Sequence, residues 1–429
     1  MRSAARAVAL EVIGRVVDHG GYSTRVLPVA LARSTLEARD RAFATDLAFG
    51  TLRHMIRLDH AIGRRASRPI ARMTPTARNL LRLGAYQLLV ADVPPHAAVA
   101  ETVALASARE RGFVNAVLRR VADDPPGLPD GHDDRNVAVR TGLQAWSVGE
   151  LRRVLGDDVE GAARAFAARA PLTLRVNPDV ASIEELRDRL RAAGRETETA
   201  PLDPACILVV GGGDPTTFPG FDEGAFAVQD QASAFVVRAL DPRPGDRVLD
   251  ACAAPGGKTA FIAELVGPEG LVVAADLRPN RAALIPATAE RLGVRPKVLA
   301  QDATVPAVRG PFERVLVDAP CSGIGSARRR PELLWRPRKG DLSTLARTQV
   351  EIVGACAGLL APGGRLVYSV CTFPRAETDA ACDAIVRHRP DLIPVEIDAP
   401  DGPSSRVRLW PHRHGSDGMF VAAFRRSSG

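Results

Sequence analysis

At 429 residues the chain exceeds one ordinary hydrophobic core, so two or three domains are expected. With 46% hydrophobic and 25% charged residues it has a globular composition, and no apolar run approaches the length of a membrane span. The net charge of +7 permits an anionic partner, but nearly all the cations are Arg, as a GC-rich genome gives without selection for binding. The opening residues lack the apolar stretch and cleavage site of a secretory signal, so a cytoplasmic enzyme is expected. Six cysteines (Cys206, Cys252, Cys321, Cys356, Cys371 and Cys382) include no CxxC pair, which argues against a metal site, and this setting does not favour disulfides.

Residues 1–125 read as an all-helical bundle. Apolar residues at helical spacing predict a helix over 5–19, ending at Gly20-Gly21, and further helices over 76–90 and 97–109. Ser34 and Glu37 have the spacing of a capping box opening another helix. The Pro-, Gly- and Asp-rich stretch 123–134 is the clearest linker. Residues 135–225 read as a small α+β middle domain, with helices over 137–170, strands over 172–176 and 206–210, and a helix over 183–193. Over 226–429 short Val/Leu-rich runs (247–251, 271–276, 297–301, 315–318 and 365–369) alternate with helical stretches, notably 279–293 and 342–360. That rhythm predicts an α/β, Rossmann-like domain with a parallel sheet covered on both faces.

Within that domain Val248-Leu-Asp250 runs into Ala-Cys252-Ala253-Ala254-Pro255-Gly256-Gly257-Lys258: a strand, a glycine turn and a helix start. Open parallel sheets bind ligands at strand carboxyl ends, and small residues let a molecule approach the backbone beside a helix amino end. Asp276 closes the second strand and can accept ribose hydroxyls, while Asp302 follows the third and can accept from an adenine amino group. Lys258 is one of only three lysines, which makes its place in the turn less accidental. The turn lacks the spaced G-x-G-x-x-G of dinucleotide sites and the full P-loop pattern.

Asp318 and Cys321 stand at the end of the fourth strand in Val315-Leu-Val-Asp-Ala-Pro-Cys-Ser-Gly323, and Cys371 follows the fifth. If these strands are neighbours, both thiols overhang the cofactor pocket. A thiol that adds to C6 of cytosine makes C5 nucleophilic enough to take a sulfonium methyl. Asp318 can hydrogen-bond the base edge, and the base must leave its stack to reach the thiol. Cofactor turn and thiols together point to methyl transfer from S-adenosylmethionine onto a pyrimidine. Spacing leaves open which cysteine is the nucleophile. Cys206, Cys356 and Cys382 read as small buried hydrophobes.

At these residues the sequence resembles the RNA cytosine-5 methyltransferases, most closely the bacterial ribosomal RNA small subunit methyltransferase B (RsmB/Sun) family. The likeness covers essentially the whole chain. Arg41-Ala-Phe43, Gly50-Thr-Leu-Arg53, Pro94–Glu101 and Gly112–Arg119 are similar to the RNA-binding helical protein NusB; Leu174–Asn177 and Val228–Gln231 match segments leading into the catalytic domain. The resemblance implies a class I S-adenosylmethionine-dependent methyltransferase acting on one cytosine of 16S ribosomal RNA; a monomer without metal is expected. It implies that Cys252, Ala253, Ala254, Pro255, Gly256, Gly257, Lys258, Asp276, Asp302 and Asp318 line the cofactor site. Cys371 is then the nucleophile, and Cys321 assists product release. One departure is Val370, where the family's second-cysteine motif usually carries Thr. Rival expectations are the same chemistry on tRNA, or an RNA-binding assembly factor with a vestigial catalytic domain.

The basic, aromatic segments Ala327–Pro331 and Trp335–Lys339 after the Cys321 loop read as an RNA path, with Trp335 able to stack on a base. His412 and His414 read as groups that orient the chain or touch RNA.

Overall fold

The computed structural model describes residues 2–428, and its contacts divide the chain into two units. The first comprises Met1–Ala168 together with Ala327–Pro337; the second comprises Arg169–Ser326 and Arg338–Gly429. The helices of 134–167, assigned from sequence to the middle domain, thus group with the N-terminal bundle.

Among the described residues, the first unit contains helices Arg2–Val17, Ser23–Ala32, Ala38–Arg53, Met55–Arg65, Pro75–Leu89, Pro95–Ala104, Ala108–Asp123, Asp134–Thr141, Ala145–Leu155 and Val159–Ala167. Their apolar stripes meet in a core that includes Val12, Ile13, Leu47, Leu52, Leu80 and Leu118. The structure corrects two local expectations. Ser34 does not cap the following helix: its hydroxyl donates to the Leu31 carbonyl at 2.8 Å, satisfying the end of the helix before it. The predicted helix over 97–109 ends at Ala104, and extended Ser107 opens a new one at Ala108.

The second unit holds two sheets. The smaller contains β1 (Leu172–Val176), β2 (Thr197–Thr199), β3 (Cys206–Val209) and β4 (Phe226–Val228) in antiparallel order β2-β3-β1-β4. Its helix Ile183–Ala192 begins with a true capping box, Ser182 and Glu185. The larger contains β5 (Arg247–Asp250), β6 (Leu271–Asp276), β7 (Lys297–Ala300), β8 (Phe312–Asp318), β9 (Leu360–Val370), β10 (Leu392–Val395), β11 (Arg406–Leu409) and β12 (Met419–Arg426). Its order is β10-β12-β9-β8-β5-β6-β7, with β11 also paired to β12.

Strands β5 to β9 are parallel, as expected, but β12 runs antiparallel between β9 and β10, so the sheet is mixed. The hairpin-like return of β11 into β12 needs no crossover helix, and the α/β rhythm gave no sign of it. Strand order reverses at β5, which pairs with β6 on one side and β8 on the other. That is the crevice where ligands of open α/β sheets bind.

Fully buried Arg175 of β1 fastens the small sheet to the helix Gly257–Val266. Its guanidinium pairs with both Glu264 oxygens, donates to Gln229 Oε1 at 2.7 Å and lies 4.2 Å from the Phe261 ring centroid. A buried cation needs such partners, because an unpaired charge costs several kcal/mol, on the order of 3–5.

Candidate functional site

The glycine turn leaves β5 at Asp250 and enters the helix Gly257–Val266 through Gly256, whose φ of +108° suits glycine alone. A Cβ on Gly256 would also stand 3.2 Å from the Ile285 backbone, whereas one on Gly257 would meet only Gln229 Nε2, at 4.0 Å. The face of the turn at Gly257 is therefore open. Asp276, at the end of β6, accepts from Ala254 N at 3.3 Å and Arg278 N at 3.2 Å, with Arg281 Nη2 3.3 Å away. Asp302 lies two residues beyond β7, exposed, its Oδ1 accepting from the Thr304 amide and hydroxyl. The Thr304 bonds hold its carboxyl below the usual range. Beneath the turn, Asp250 is buried and accepts from Thr259 Oγ1 at 2.7 Å; burial lifts its pKa from 3.8 to about 7, against the pull of Thr259.

The fourth and fifth strands of the parallel set, β8 and β9, are neighbours, and this brings the remaining residues together. Lys258 Nζ donates to Asp318 Oδ2 at 2.8 Å, and Ser369 Oγ donates to Asp318 Oδ1 at 2.8 Å. Burial works against the Lys258 ammonium, but Asp318 outweighs it and the pKa rises, with a smaller contribution from Cys371. Cys321 and Cys371 are both partly exposed, and their sulfur atoms lie 3.5 Å apart. The bond to Cys371, followed by burial, pushes the Cys321 thiol well above its usual pKa. Cys252, in the turn, is pushed up chiefly by burial. Cys206, Cys356 and Cys382 sit in apolar cores, each raised by burial to about 12.

Several site residues escaped the sequence reading. Fully buried Glu377 accepts from Ser322 N at 2.9 Å, Ser322 Oγ at 2.5 Å and Gln349 Nε2 at 3.0 Å. Ser322 Oγ lies 2.6 Å from Thr372 Oγ1, and the Tyr368 hydroxyl lies 2.7 Å from the Glu377 carbonyl. An acid six residues after Cys371 was the only signal, and it does not distinguish a buried network from a solvated loop. Val370 fills an apolar cluster with Ala381, Ile385 and Phe420, so the hydrophobic side chain suits its place.

Two residues of the expected RNA path, Trp335 and Arg336, are engaged by the helical bundle instead. Trp335 Nε1 donates to the Leu52 carbonyl at 2.9 Å and its ring packs on the helical core. Arg336 Nη2 donates to the Val16 and Gly21 carbonyls at 2.9 and 2.7 Å, and Glu332 accepts from Ser23 Oγ at 2.7 Å. The Trp335 ring is half-buried against that core, and its N–H is engaged by the bundle rather than free for RNA. His414 orients the chain, its Nδ1 accepting from Trp410 N at 2.9 Å. Among the described residues no cluster of His, Cys, Asp and Glu could hold a metal ion, and no helix is long and apolar enough to cross a membrane.

Residues 237–425 match the family described as 16S rRNA methyltransferase RsmB/F, residues 3–123 the NusB family, and residues 144–214 the ferredoxin-like domain of RsmF/B-like methyltransferases. The ribosomal RNA small subunit methyltransferase B of Klebsiella pneumoniae is 34% identical, covering 97% of each chain. The chain belongs to the RsmB/F methyltransferase family. A candidate methyltransferase of Mycobacterium tuberculosis is 39% identical over 98% of this chain and 96% of its own. Among solved structures, PH0851 superposes with a TM-score of 0.86 at 25% identity, covering 99% of both chains. The RsmB/F assignment thus joins a NusB-like helical domain, a ferredoxin-like domain and a Rossmann-like methyltransferase domain with a mixed sheet.

Proposed function

We propose that the protein transfers a methyl group from S-adenosylmethionine to C5 of a cytosine in 16S ribosomal RNA. The observation that carries this reading is the 3.5 Å separation of the Cys321 and Cys371 sulfurs, beside the Lys258–Asp318 pair of the glycine turn. The relatives' names and the RsmB/F profile support ribosomal RNA as the substrate.

S-adenosylmethionine supplies an electrophilic methyl group when bound. The open face at Gly257, the acid Asp276 and the exposed Asp302 suit its carboxylate, ribose and adenine. Cys371, as thiolate, forms a bond to C6 of the cytosine, and the ring electrons become available at C5. After C5 is methylated, a water molecule takes its proton, the C5–H electrons re-form the ring double bond, and the S–C6 bond breaks with its electron pair on the Cys371 sulfur. Lys258 and Ser369 orient the Asp318 carboxylate toward the base edge. Cys321 carries its proton close to the leaving sulfur of Cys371, a place suited to product release.

Bisulfite sequencing of ribosomal RNA from a deletion strain tests the reading. One 16S cytosine should lose its methylation and regain it on complementation. Unchanged 16S RNA with a lost mark in tRNA would overturn the assigned substrate.

A further inference from the structure

Glu377 carries no role in the reaction as derived above, yet both cysteine loops converge on it. We propose that Glu377 is a positioning residue that sets the spacing of the Cys321 and Cys371 thiols; this rests on the two-thiol reading of the site.

The carboxylate has 0% exposure, and burying such a group is unfavourable unless every lone pair finds a donor. Here the donors come from residues that bracket the thiols. Ser322, directly after Cys321, gives both its amide and its hydroxyl. That hydroxyl lies 2.6 Å from Thr372, directly after Cys371. Gln349 Nε2 donates to Glu377 Oε1 and to the carbonyl of Pro320, directly before Cys321, each at 3.0 Å. Tyr368, three residues before Cys371 on β9, reaches the Glu377 carbonyl.

Cys321 is therefore held from both sides, by Ser322 bonded to the acid and by Gln349 bridging the acid to Pro320, while Cys371 is tied to the same network through Ser322 and Thr372. The loops come from different strands, and the network bonds the residues next to the two cysteines rather than the sulfurs. A carboxylate accepts several donors at fixed angles, which an apolar side chain of the same volume cannot do. Burial raises the Glu377 pKa, and Ser322 and Gln349 oppose it, as expected of an acid kept inside for its bonds.

Phenylarsine oxide tests the spacing in the full-length protein, because it forms two As–S bonds to closely placed thiols and releases water. Wild-type protein should capture the arsenical, and Cys321→Ala and Cys371→Ala should not. In Glu377→Ala, capture affinity and kcat should each fall by about 100-fold, as for an ångström-scale misplacement of reacting groups. Binding of S-adenosylhomocysteine, read by calorimetry, should stay as in wild type. Glu377→Gln should recover much of both, since its carbonyl oxygen still accepts the Ser322 amide. Wild-type capture in Glu377→Ala overturns the proposal, as does lost turnover with capture intact. If Glu377→Ala does not fold, Ser322→Ala replaces it: weakened capture supports the role and unchanged capture refutes it. Methyl transfer by Cys371→Ala would defeat the two-thiol reading, while arsenical capture would still decide the role of Glu377.

Discussion

Cys321 and Cys371 each follow a parallel strand, and the roles proposed for them differ. Cys321 is pushed well above the usual thiol range by its sulfur neighbour and burial, which keeps its proton in place. Cys371 stands near the Lys258 ammonium and adds to the rise of its pKa. Cys371→Ala is thus expected to bind S-adenosylhomocysteine normally and transfer no methyl group in a labelled-methyl assay. Cys321→Ala should attack but stall, leaving a protein–RNA adduct visible on a denaturing gel; the opposite pattern would exchange the two roles. Asp250 tests burial directly. Its pKa of about 7 in the folded chain exceeds the ordinary 3.8, so between these values the folded state holds a proton that the unfolded state has lost. Stability contributed by this group therefore falls as pH rises through that window. In urea titrations Asp250→Asn should lack this decline and gain on wild type toward neutral pH.

Elements were legible in sequence wherever their apolar period was unbroken. The strand Leu172–Val176 and the strand Leu271–Asp276 fall where they were expected, and the predicted helix over 76–90 is Pro75–Leu89. The long helix expected over 279–293 instead splits into Pro279–Ala282 and Ile285–Arg291, with Pro286 in the first turn of the second. Connections were less legible, because their bonds reach distant chain. The loop after Cys321 threads between two backbones: Gly325 N donates to the Cys371 carbonyl, and Gly418 N donates to the Gly325 carbonyl, both at 2.9 Å. A Cβ on Gly325 would stand 2.0 Å from Gly418 O and 2.8 Å from Cys371 O. Gly325→Ala should force the loops apart, lowering stability by about 1–3 kcal/mol, as overpacking does, and reducing methyl transfer with it. Denaturation midpoints and turnover measured on the same preparation check this.

Neither unit is a continuous stretch of sequence. The chain leaves the second after Ser326, contributes Ala327–Pro337 to the first, and returns at Arg338. Within that segment Leu333 and Leu334 are buried, and Trp335 packs on the helical core. A fragment spanning 169–429 alone would expose these apolar side chains, a liability for association. Fragments 1–168 and 169–429 made together should co-purify, and 169–429 made alone should aggregate on size-exclusion chromatography. Monodisperse behaviour of the lone fragment would show that the segment's burial is dispensable.

By itself the sequence determined the fold class, the glycine turn, the acids after successive strands and the two thiols, because each is written in local order: period, turn residues and strand ends. Only the tertiary structure decided which cations were committed to the helical core, as with Arg336 and its carbonyl partners. It also decided that β12 enters the sheet antiparallel and that Glu377 sits beneath both cysteine loops. Those outcomes depend on burial and on contacts between residues far apart along the chain, and no local pattern encodes which distant donor a buried acid will meet.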